Sequence, residues 1–240
     1  MQTSIKSIKP VWTALALPPL IFLLAIVLAS IYYGAQGLTD PNQISELVAS
    51  SMSFLLVGIQ LAMLGLFWLT LRASGLSMAQ IGWQAAPGQQ AWRELALGAL
   101  PGAVLGLLYV FALSPLMTIV QRTLGDYVPA GELLPSLGSG IAAFFLADVL
   151  LAPFVEENIY RGLALTRLRE RFGPTSAVLI SCLFFGLLHW AGGFWYMLLT
   201  GGVAGLLFAL LANRRGNLLA PFGAHLALNL VEFLFVLLNR

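Results

Sequence analysis

The sequence predicts an all-α fold, a polytopic membrane bundle of about seven transmembrane helices with its N-terminus in the cytoplasm. Three observations lead there. Of 240 residues, 59% are hydrophobic and only 9% charged, with a mean hydropathy of +0.89; a soluble domain of this length carries about a quarter charged residues. The apolar residues fall into runs near the roughly 20 residues a spanning helix needs. Ten of the twelve basic residues fall on one side of the alternating connections.

Taken in order, the expected spans are 11–34, 47–71, 94–120, 139–161, 174–190, 195–212 and 218–239. The first exceeds a signal-peptide core of about 7–15 residues and reads as a retained span, with Pro18-Pro19 disturbing a turn inside it. Turn chemistry separates the runs, as in GAQGLTDPNQ, QAAPGQQ and NRRGN. Segment 72–93 is the longest expected cytoplasmic loop, with Trp83 and Trp92 at headgroup level. With the N-terminus inside, Lys6, Lys9, Arg72, Arg93, Arg161, Arg167, Arg169, Arg171, Arg214 and Arg215 lie in the cytoplasm, and Arg122 and Arg240 outside. Asp40, Glu46, Asp126 and Glu132 fall outside and Glu94 and Glu170 inside, but acids weigh little in this rule. Residues 1–138 read as N-terminal membrane helices and loops, and 139–240 as catalytic-core helices of the same membrane domain. The expected location is the cytoplasmic or inner cell membrane.

The net charge of +2 is spread between spans rather than gathered in a stripe, which argues against a nucleic-acid partner. The single cysteine, Cys182, excludes an intrachain disulfide and reads as packing.

Polar groups inside apolar runs are functional candidates, because burying them in a membrane is costly. Here they are Asp148, Glu156, Glu157, His189, His225 and Glu232, with Asn229 as a neutral companion. Glu157 and Arg161 are i and i+4, spaced to form a structural ion pair on one helix face. Glu156 is rotated about 100° away, which leaves it free for chemistry. Around Gly173-Pro174, Glu156 lies 17 residues before the glycine and His189 lies 16 after it. An antiparallel hairpin with such arms brings them level. His225 and Asn229, again i and i+4, share a face of the last span and can meet a water, a metal or a substrate carbonyl. The structural counterpart of each motif is an interfacial helix end, a packed histidine or an interhelical hydrogen bond.

Glu156-Glu157-x-x-x-Arg161, Phe185-x-x-x-His189 and His225-x-x-x-Asn229, in this order on successive spans, resemble the CAAX-protease and bacteriocin-processing family of intramembrane endopeptidases. The resemblance runs from about Ser139 to Asn229. It implies helices around a water-accessible cavity and cleavage of a peptide or lipid-modified membrane protein, with membrane lipid around it. It assigns catalysis to Glu156, His189, His225 and Asn229. Tyr160 stands where many members have Phe, and Gly193 offers no side chain where some members place a polar residue. Two chemistries stay open: zinc held by His189 and His225 with Glu156, or a metal-free site that hydrogen-bonds water and oxyanion. The HExxH motif of zinc peptidases is absent. Two other classes are a non-catalytic immunity or scaffold protein and a proton-coupled transporter. The latter is disfavoured by the lack of internal repeats.

Overall fold

The computed structural model describes residues 7–85, 88, 90–125 and 140–238. Lys6, Asp126, Glu132, Arg240 and Ser139, at the start of the expected fourth span, lie outside the described residues. Among the described residues every regular element is helical: α1 Lys9–Ala35, α2 Pro41–Ser50, α3 Met52–Ser74, α4 Ala91–Leu124, α5 over 141–172, α6 Pro174–Leu188, α7 Phe194–Arg215 and α8 Leu219–Leu238. Five of them, α1, α3, α4, α7 and α8, are long and apolar enough to cross a membrane. The fourth and fifth expected spans differ. Helix α5 carries the charged cluster, and α6 has 15 residues, ending at His189 instead of running to 190.

The outer faces are apolar. Along α1, Leu20, Leu24, Leu28 and Ile31 are more than half exposed, as are Leu97, Leu100 and Phe111 on α4. A water-soluble monomer does not leave such continuous apolar surface uncovered, so these faces belong against lipid and the protein is integral to a membrane. The prolines of α1 do not end it: both Pro18 and Pro19 lie inside the continuous helix.

Helix pairing in lipid depends on close packing rather than on removing apolar surface from water. The closest pair is α4 with α8. Gly98, Gly102 and Gly106 recur every fourth residue on α4, so they form one stripe. An added Cβ at Gly98 or Gly102 would collide with the backbone of Ala220 or Ala224, and one at Gly106 would sit 2.9 Å from Val231 Cβ. From the other side, Gly223 lies against the Leu95 backbone. The stripe is written in LALGALPGAVLGLL, a glycine-x-x-x-glycine pattern that sequence reasoning passed over.

Three connections meet at one end of the bundle. Arg167 Nη2 donates to the Ser74 carbonyl at 2.6 Å, Leu218 N–H donates to the Gly82 carbonyl at 2.9 Å, and Arg215 pairs with Glu94. At the other end Gln121 Nε2 donates to the Gly192 carbonyl at 2.8 Å. The Trp83 ring packs on Phe154 (5.3 Å) and Phe222 (5.4 Å), and its Nε1–H donates to Asn158 Oδ1 at 2.6 Å. Trp92, 64% exposed beneath the Arg93 guanidinium, keeps the outward position.

Candidate active site

Helix α5 alternates between two windings. Ile141–Phe144 is α, Phe145–Leu151 is π, Ala152–Glu156 is α, Glu157–Ala164 is π, and Leu165–Phe172 is α. Pro153 gives part of the reason. It has no N–H for the carbonyl of Val149, and its ring crowds that carbonyl, so the turn before it widens. Pro115, just after the π turn Tyr109–Leu113 of α4, repeats the arrangement. Glu156 and Glu157 therefore sit at an α-to-π junction, a winding often found at functional positions.

Glu157 is fully buried, and its Oε1 accepts two hydrogen bonds: from Arg161 Nη1 at 3.1 Å and from His225 Nδ1 at 2.9 Å. The expected Glu157–Arg161 pair is present. It is not merely structural, because the same oxygen orients a candidate catalytic histidine. Arg161 is anchored further by Nη2 donating to the Gly205 carbonyl at 3.0 Å, and its guanidinium lies 4.1 Å from the Phe185 ring centroid. The charge is thus matched by a carboxylate, a carbonyl and a π face, the conditions under which a buried cation is tolerated.

His225 stacks on Phe208, with centroids 4.7 Å apart and planes at 20°, and meets Phe185 edge-on at 5.9 Å. His189 caps the end of α6 and is half-buried. Its Nδ1 donates to the Phe185 carbonyl at 2.8 Å. Since a carbonyl oxygen can only accept, this bond puts the proton on Nδ1 and leaves Nε2 for other partners. The His225–Glu157 bond fixes the same tautomer on the second ring. Phe185, 5.0 Å from His189, lies between the two histidines and contacts both.

Glu156 is 4% exposed and takes its hydrogen bond from Gln60 Nε2 on α3, at 3.3 Å. Neither histidine bonds to it, but its charge reaches His189 and Asp148. The equal-arm hairpin needs correction. The contact that sets the register is Ser181 Oγ donating to the Tyr160 carbonyl at 2.9 Å, 13 residues before Gly173 and eight after it. Wide π turns advance less per residue, so the α5 arm is shorter than its residue count suggests. His189 then lies about one helical turn farther from the hairpin tip than Glu156. Asn229 donates its Nδ2 to the Asp148 carbonyl at 2.8 Å and so ties α8 to the first π turn of α5. Asp148 and Glu232 are half-buried.

The candidate zinc ligands do not form a set. Among the described residues no three His, Cys, Asp or Glu side chains are grouped to hold a metal ion. Each histidine has Nδ1 held by the protein, which leaves Nε2 open as in metal-ligating histidines, and Glu156 keeps Oε2 open. In this arrangement the three side chains are nevertheless not grouped as a His₂Glu centre.

Sequence reasoning missed Gln60 and Asn158. Asn158 is fully buried and links the Trp83 indole to the Phe154 carbonyl. A lone amide in FLLVGIQLAMLG was the available signal for Gln60. It escaped notice because the candidates were chosen chiefly by charge.

Residues 138–231 match the family model described as Type II CAAX prenyl endopeptidase Rce1-like. The resemblance read from the three motifs is borne out over the same stretch, which contains Glu156, His189, His225 and Asn229. No curated protein and no solved structure matches the chain. The matched family implies protease activity within a membrane.

Proposed function

We propose that this protein is an intramembrane endopeptidase that cleaves a peptide bond near the cytoplasmic membrane face, with Glu156 activating the attacking water. The observation that carries the reading is the side-by-side use of two carboxylates. Each carboxylate keeps one buried oxygen, Oε2, without a partner, but Glu157 is engaged in orienting His225 and neutralising Arg161, whereas Glu156 meets only the neutral amide of Gln60.

The chemistry follows from these commitments. Glu156 takes a proton from water, and the resulting hydroxide adds to the scissile carbonyl carbon. Negative charge moves to the carbonyl oxygen. It is met by the second N–H of Asn229 and by Nε2–H of His225 once that ring is protonated, with Glu157 balancing the imidazolium. Collapse breaks the C–N bond, and Glu156 returns its proton to the leaving amine. His189, half-buried at the end of α6, presents Nε2 to the substrate or the water. A peptide whose membrane anchor is a lipid group or a spanning helix is the substrate class that an apolar exterior and a buried polar site can share. The seven-span topology, with the N-terminus and the basic end in the cytoplasm, belongs to this proposal.

The test is cleavage in proteoliposomes of a farnesylated C-a-a-X peptide. It is paired with proteomics of C-terminal and juxtamembrane peptides in cells carrying wild type or Glu156→Gln. Glu156→Gln should abolish cleavage while the protein remains folded and inserted. Full cleavage by that variant removes the general-base assignment, and identical peptide profiles in the two strains remove the protease reading.

A further inference from the structure

We infer that Gln60, on α3 and outside the matched stretch, is a positioning residue for Glu156 and holds the attacking water with it. The inference rests on the endopeptidase reading for its chemistry, though not for its geometry. Gln60 lies within an apolar helix and is 6% exposed, on the face that buries Ile59, Met63 and Phe67. An amide at that depth is costly unless it has a partner. Its partner is Glu156: Nε2 donates to Oε1 at 3.3 Å across 96 residues of chain. The carboxylate only accepts, so the amide must turn its N–H toward it and its carbonyl away.

That turn has a consequence. Gln60 Oε1 and Glu156 Oε2 are both buried and both without a partner. They flank a single hydrogen bond, and each is an acceptor. Two buried acceptors on one hydrogen-bonded pair of side chains each call for a donor, and a water molecule is the smallest that can supply a hydrogen to both. A water bonded to Glu156 Oε2 is also where a general base needs its nucleophile, within direct hydrogen-bond reach. Gln60 would direct the second hydrogen and thereby aim a lone pair. The Tyr160 hydroxyl, one turn beyond Glu156 in sequence, is also buried and unpartnered.

A bond from α3 to α5 could equally serve packing alone, so the test reads something packing does not move. Gln60→Met keeps the shape and removes both polar atoms; Gln60→Asn keeps an amide one methylene too short to reach. In purified protein the carboxylate stretching band of Glu156 is isolated as the infrared difference between parent and Glu156→Gln. It is measured once in the wild-type background and once in each Gln60 variant. The band should shift in both variants, with kcat on the farnesylated peptide down roughly 10-fold to 100-fold and KM within about twofold. An unshifted band with unchanged kcat overturns the inference, and a change in thermal stability alone assigns Gln60 to packing. A shifted band in a protein whose wild type shows no Glu156-dependent cleavage upholds the positioning role and rejects the endopeptidase reading. Gln60→Asn keeps the test open if Gln60→Met fails to fold.

Discussion

Arg161 and Glu157 show how one buried contact can carry both stability and orientation. Arg161→Ala removes the guanidinium from between Phe185, Phe208 and the Gly205 carbonyl and leaves the Glu157 carboxylate facing only His225. Breaking a buried pair from one side costs about 3–5 kcal/mol, so thermal unfolding in detergent should drop sharply together with activity. Normal thermal stability would show that the pair is not buried in the working protein. Glu157→Gln should lower both as well: the amide fills the space, but it leaves the buried Arg161 guanidinium, and an imidazolium at His225, without a counter-charge. Thermal unfolding and kcat measured on the same preparation check this, and unchanged values of both would remove the dual role.

At the scale of the helix, the glycines divide into those that permit contact and those that only dilute helix propensity. Gly102→Ala places a methyl group inside the Ala224 backbone, and the α4–α8 seam cannot close around it. The yield of folded, monodisperse protein in detergent should collapse. Gly65 on α3 has nothing within 4 Å of an added Cβ. Gly65→Ala should leave activity intact and stabilise the helix by about 0.5–1 kcal/mol. Equal behaviour of the two variants would dissolve the seam argument. The distinction follows from steric contact: Gly102 belongs to the stripe Gly98, Gly102 and Gly106, and Gly65 faces open space.

For the whole molecule, the open matter is which way it sits in the membrane. The connections near Ser74, Gly82, Arg167 and Leu218 touch one another and must therefore share a side. The excess of lysine and arginine in the expected cytoplasmic segments predicts that this side faces the cytoplasm. Single cysteines at Gln80 and Thr39, both exposed, in a Cys182→Ala background should settle it with a membrane-impermeant thiol reagent. Position 80 should label only in inside-out vesicles and position 39 only in right-side-out ones. The reverse pattern would invert the molecule and put the site's entrance outside.

The sequence by itself determined the class of protein, five of its apolar helices and the three motifs that point to the matched family. Composition and the spacing of apolar runs act locally and survive in a one-dimensional reading. So did Glu157 with Arg161, because both lie on one stretch of chain. Tertiary structure decided who meets whom across the bundle. Glu157 took His225 as well as Arg161, Gln60 reached Glu156 from a helix 96 residues away, and the Trp83 indole found Asn158. The π turns around Glu156 shifted the hairpin register that α-helical counting had set equal. Such pairings arise where a buried polar group must find any available partner in a medium without water, and that search runs through space rather than along the chain.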